Sequence, residues 1–152
     1  MWVAPSHHAG QFFCRIGTGQ GGTTTAFDPL PQTFYDKSSL YPVPEGADFK
    51  KNTHASAWHM DLNDDVRSLM SVQPNADWYE TTNHELGHIY YYQAYSTDAV
   101  PILLRRGANR GFHEAVGTQM GMAAMHRPFL IERGLAELNA QAEKGWSGFD
   151  VG

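Results

Sequence analysis

The run His84-Glu85-Leu86-Gly87-His88 places two imidazoles four residues apart, with a carboxylate directly after the first. On a helix with about 3.6 residues per turn, positions four apart project from one face, so both imidazoles can converge on one tetrahedral zinc ion at about 2.0 to 2.1 Å. Glu85 is rotated by roughly one hundred degrees from His84, beside the metal rather than on it, where it can take a proton from the attacking water. Two protein ligands are too few for a hydrolytic zinc site, which takes three and leaves one position for water or substrate. Glu114 is the best candidate for the third, because it falls on the next predicted helix and a short helix-loop-helix return brings it over the first pair. Composition alone gives about a 2% expectation of such a pentad, so the reading depends on the elements around it.

Those elements can be read from capping and periodicity. Asn75 before Ala76-Asp77 is a helix start, its side chain able to accept from free backbone N–H groups and Asp77 favourable to the helix dipole. The helix is predicted to run to about Tyr95, with Trp78, Thr81, Leu86, Ile89 and Tyr92 as its buried stripe. Ser96 to Arg106 reads as a connection containing Pro101, and Asn109 as the cap of the following helix, whose apolar face is Phe112, Val116, Met120 and Ala123. Pro128 precedes a last helix expected from Phe129 to Glu143. Upstream, His54 to Met60 and Val66 to Val72 are strand candidates joined by the turn residues Asn63-Asp64-Asp65. Pro29 to Asp48, with four prolines, reads as irregular chain against a core. Residues 1–27, rich in glycine and threonine, are expected to form a poorly ordered arm, leaving 28–152 as the structured unit.

Composition limits the partners. The chain has 152 residues, 41% of them hydrophobic, which suffices for one modest core. A net charge of -5 and no Lys/Arg cluster give no electrostatic footprint for nucleic acid, so a peptide or small molecule is the expected partner. No stretch is long and apolar enough to be a transmembrane segment, and the N-terminus lacks the pattern of a signal peptide. Cys14 is the single cysteine, so no intrachain disulfide can form. Oligomeric state is not legible in the sequence. His113 reads as a packing or hydrogen-bonding residue rather than a ligand, and Met120, Met122 and Met125 as helix packing.

Several blocks, in order, carry a family resemblance: Leu30-Pro-Gln-Thr-Phe-Tyr-Asp-Lys-Ser38, His54-Ala-Ser-Ala-Trp58, the pentad itself, Arg106-Gly-Ala-Asn109 and Gly111-Phe-His-Glu-Ala115. From Leu30 to roughly Leu130 the sequence resembles the peptidyl-dipeptidases similar to angiotensin-converting enzyme. The resemblance implies a mainly α fold: a fragment of a helical, gluzincin-type zinc metallopeptidase with a short antiparallel β-hairpin beside the zinc helix. It further implies His84, His88 and Glu114 as Zn2+ ligands, Glu85 as the general base, and His54 with the backbone of Ala55 and Ala57 binding an extended peptide at a sheet edge. The implied reaction is release of C-terminal dipeptides, in a parent enzyme that is typically extracytoplasmic or secreted.

The departures from that pattern are specific. Thr53 and Ser71 stand where many family members carry a disulfide pair. Thr118 stands where the animal enzymes place an aspartate supporting a zinc ligand, so support around the metal is expected to be weaker or rearranged at Thr118. The residue after Asn109 is Arg110 rather than proline, and the span from His88 to Glu114 is about two residues longer. These features suggest a divergent branch, bacterial among the candidates. Family members are several times longer, and the tyrosine, histidine and lysine that serve the oxyanion and the substrate carboxylate would lie beyond Gly152. The chain is therefore expected to be a fragment, with weak or absent turnover by itself. A non-catalytic peptide-binding remnant and another zinc endopeptidase with a glutamate ligand are the competing readings. A structural zinc site, usually closed by four ligands rich in cysteine, fits poorly with one cysteine.

Overall fold

The computed structural model describes residues 30–132, together with Leu135. The arm at 1–27 and the far end of the last predicted helix lie outside the described residues. Among those described are four α-helices and one two-stranded sheet. The mainly α reading, with a β-hairpin beside the helix that carries His84 and His88, is therefore correct.

The first helix, α1 (Gln32–Lys37), lies in the segment expected to be irregular. Prolines flank a proline-free window at 32–41, Pro31 at the N-cap already holds φ near -65° for helix entry, and the one short helix buries Phe34 to 1% exposure. After it, Ser39 bridges Leu69 in parallel. Lys51 Nζ donates to the carbonyls of Ser39, Tyr41 and Met70, fixing the approach to the first strand, and burial lowers its pKa.

Strands β1 (Ser56–His59) and β2 (Val66–Leu69) pair antiparallel, Ser56 opposite Leu69 and His59 opposite Val66. Both are shorter than the sequence suggested, for an identifiable reason. The amides of Met70 and Val72 donate to the carbonyls of Ser39 and Leu40 instead of to β1, and the His54 amide donates to Asn52 Oδ1. In the connecting turn Asp61 Oδ1 accepts from the amides of Asn63 and Asp65. Asp65 then accepts from Arg67 at 2.8 Å and from Lys37 at 2.9 Å, tying α1 to the hairpin.

These donors, Arg67 first, hold the Asp65 carboxyl well below the usual carboxylate range. A carboxyl whose folded pKa is depressed stabilises the fold fully above its unfolded value, near pH 4, and loses that contribution as the pH falls through the folded one. The Tm difference between the protein and its Asp65→Asn variant should therefore be largest above about pH 4 and close in stronger acid. A difference independent of pH would show that the ion pairs contribute nothing.

Helix α2 (Ala76–Tyr95) begins and ends as read, with Asn75 Oδ1 accepting from the Trp78 amide at 2.8 Å. Its buried surface is wider than one stripe. Thr82, Asn83, Leu86, Ile89 and Tyr90 are all buried, because the hairpin covers one side of the helix and the next helix covers another. Thr81 and Tyr92 are only half-buried, and Trp78 packs with a smaller cluster of Ala55, Met70 and Val72. The main core joins Leu30, Phe34, Val66, Leu86, Ile89 and Tyr90. No helix among the described residues is long and apolar enough to cross a membrane.

The connection after α2 contains a 3-10 turn, Ile102–Leu104. It is anchored by buried Arg105, which donates to Val100 O at 2.9 Å and to Asn63 Oδ1 at 2.8 Å. Helix α3 (Arg110–Ala124) starts where Asn109 Oδ1 accepts from the Phe112 amide at 2.7 Å, as the sequence indicated. Of its expected face, Met120 and Ala123 pack against the main core, but the most deeply buried positions lie beside them. Gly117, Gly121 and Ala124 are buried while Phe112 is half exposed, because the closest approach to α2 is made by glycines rather than by large side chains. Helix α4 (Arg127–Glu132) begins slightly earlier than predicted, since Pro128 is accommodated in a first turn where no amide partner is lost.

Candidate metal centre

His84 and His88 lie one turn apart on α2, and Glu114 reaches them from the first turn and a half of α3. His84 Nε2 and His88 Nε2 are 3.0 Å apart, and Glu114 Oε2 is 3.3 Å from the former and 3.5 Å from the latter. A tetrahedral ion with ligands at about 2.0 to 2.1 Å has edges of about 3.3 Å between donor atoms, so this triangle is one face of such a polyhedron. Among the described residues these three form the group of His, Cys, Asp or Glu side chains able to hold a metal ion. The donor set, two imidazoles and a carboxylate open on the fourth side, fits zinc of the hydrolytic kind.

Electrostatics around the triangle favour metal binding. Burial first, and repulsion from His84 second, hold the His88 imidazole down at about 4, so at neutral pH its lone pair is free to bind a cation. The other ring nitrogen is engaged: His88 Nδ1 lies 2.8 Å from His113 Nδ1. A ligand bonding through Nε2 carries its proton on Nδ1, so His88 donates and His113 accepts, which fixes both the tautomer and the ring plane of the ligand. His113 is in turn packed between Tyr91 and Tyr92, each with its ring 4.7 Å away. The sequence marks His113 as a packing or hydrogen-bonding residue, and the structure shows it in both roles with His88 as the partner. The available signal was its place beside Glu114 on the helix that faces His88.

Glu85 is 7% exposed and points along the same cleft. Burial, then the Glu114 carboxylate, push it up to about 7, the range suited to a group that must both accept and return a proton. The cleft, about 540 Å³, is lined on the far side by His54, Ala55, Ser56 and Ala57 from the start of β1. The residues named from sequence for peptide binding thus share the cleft with His84, His88 and Glu114. The Ala57 carbonyl accepts from the Tyr92 hydroxyl at 3.3 Å, a link between β1 and α2 that the sequence did not reveal. Thr118 is exposed and lines a shallow apolar hollow with Met122 and Phe129, not the cleft. The rearranged support expected from this position is seen at His113, whose ring meets His88.

The sequence model of the family described as angiotensin-converting enzyme, peptidase family M2, matches residues 20–146. The chain belongs to the angiotensin-converting enzyme family. Angiotensin-converting enzyme of Haematobia irritans exigua is 42% identical over 104 residues, covering 68% of this chain and 16% of that protein. The enzymes of Mesocricetus auratus and Sus scrofa are 34% and 35% identical, over 73% and 76% of this chain and 8% of each relative. The chain thus spans between 8% and 16% of the length of these angiotensin-converting enzymes.

Proposed function

We propose that the chain forms the zinc-binding wall of a peptidyl-dipeptidase, an enzyme hydrolysing peptides with release of C-terminal dipeptides, and that turnover by these 152 residues alone is weak. The donor triangle of His84, His88 and Glu114 carries this reading, and membership of the angiotensin-converting enzyme family supports it. When bound, zinc would supply Lewis acidity, polarising a carbonyl oxygen and lowering the pKa of water toward about 7. The chain's own residues do the rest. His84, His88 and Glu114 hold the ion, and His113 holds His88. Glu85, buried beside the ligands, accepts the proton of the attacking water and returns it to the leaving amine. His54, Ala55 and Ala57 line the opposite wall, where an extended peptide would lie along β1 as an added strand.

Weak turnover follows from the stabilisation a developing oxyanion requires. Loss of one such donor costs about 10² to 10³ in rate. In the cleft the Tyr92 hydroxyl is already committed to Ala57, and His113 to His88. The test is hydrolysis of a blocked tripeptide by the protein, before and after chelation and on re-addition of zinc. Slow dipeptide release that vanishes on chelation and returns with zinc is expected. Peptide binding that persists unchanged without metal, and with no hydrolysis at any zinc level, would instead identify a non-catalytic binding module.

A further inference from the structure

Where α2 and α3 cross, both imidazole ligands lean on a residue with no side chain. A Cβ placed on Gly117 would lie 2.9 Å from both Cε1 and Nε2 of His84 and 3.0 Å from Cε1 of His88. Nonbonded carbons settle at about 3.5 to 4.0 Å, so a methyl group here and the two rings cannot keep their present places. The neighbouring glycine of α3 is different: a Cβ on Gly121 would meet Glu80 at 3.3 Å and only the Cβ of His84, at 3.6 Å, with no ring atom among its nearest neighbours. On α2, Gly87 lets the Gly117 backbone come this close, since a Cβ at Gly87 would lie 3.0 Å from Gly117 Cα.

We infer that Gly117 is a positioning residue for the metal centre, its bare backbone being the floor on which His84 and His88 are set at the separation the ion requires. The inference deepens the zinc reading above and rests on it. The chemistry of a substitution separates this role from ordinary packing. The atoms that a Gly117→Ala methyl meets belong to the two imidazole rings and not to backbone, and the His84 side chain, 26% exposed, has room to turn aside, whereas alanine is a better helix former than glycine. The helix pair should therefore survive while the donor triangle is spread, since the groups that yield are the ligands themselves.

The experiment is a zinc titration against a chromophoric chelator, with cobalt(II) substitution as a spectroscopic readout, on the protein and on its Gly117→Ala and Gly121→Ala variants. Gly117→Ala is expected to bind zinc about 10- to 100-fold more weakly, the range seen when groups supporting metal ligands are altered, and to change the visible cobalt spectrum while the far-ultraviolet circular dichroism is retained. Gly121→Ala should stay within about twofold of the parent affinity. Equal zinc affinity and identical cobalt spectra for Gly117→Ala and the parent would overturn the inference. Should Gly117→Ala lower the melting temperature, the same substitution is made in a His84→Ala, His88→Ala background. Loss of the destabilisation there supports a clash with the rings, and its persistence shows that something other than the rings opposes the methyl group, which overturns the inference. Failure of the parent protein itself to bind zinc would refute the zinc reading, an outcome distinct from either result.

Discussion

His88→Ala is expected to lower zinc affinity by about 10² to 10³-fold. Zinc sites with four protein ligands bind with about 10 to 16 kcal/mol of apparent free energy, which is roughly 3 kcal/mol per ligand. Removing His88 also removes the acceptor of the triangle that is most deeply buried, 9% exposed at the side chain against 55% for Glu114. The substitution also leaves His113 without its partner in the cleft. Competition titration with a chelator of known affinity checks this. A His88→Ala variant that binds one zinc per chain as tightly as the parent would place the ion elsewhere.

Glu85→Gln should separate chemistry from binding. The amide keeps the shape of the side chain but cannot accept the proton, and loss of a positioned general base costs about 10² to 10⁴ in rate. Because Glu85 is not one of the three converging donors, zinc affinity should change by no more than a few-fold. The measurement is a single-turnover assay on a blocked tripeptide with the protein in excess, paired with zinc titration of the same variant. A variant that hydrolyses the peptide at the parent rate would assign the base to another group.

The convergence of His84 and His88 and the caps of both site helices could be read from the sequence because each depends on short-range geometry. His84 and His88 are set by helical pitch alone, and Asn75 and Asn109 by the need to satisfy free amides at a helix start. The exact packed faces could not be read the same way. The stripe of α2 was read as if one neighbour covered it, whereas the hairpin and α3 cover it from two sides and bury Thr82 and Asn83 as well. On α3 the apolar pattern gives Met120 and Ala123 correctly, but the close approach of the two backbones at Gly87 and Gly117, which no apolar pattern marks, accompanies a half-exposed Phe112. Strand ends were overestimated because periodicity does not reveal which neighbour an amide will choose, and Met70 and Val72 chose the 39–40 segment. The partner of His88, His113, lies next to Glu114 in the sequence and beside His88 only in space, so no local pattern reveals the pair.

The measurement that bears most directly on the central claim is zinc K-edge X-ray absorption on the protein loaded with one equivalent of zinc. Two imidazole nitrogens and carboxylate or water oxygens at about 2.0 to 2.1 Å, with the imidazole scattering reduced in the His84→Ala variant, are predicted. A sulfur scatterer at about 2.3 Å, which Cys14 would have to supply, or the absence of stoichiometric zinc, would contradict it.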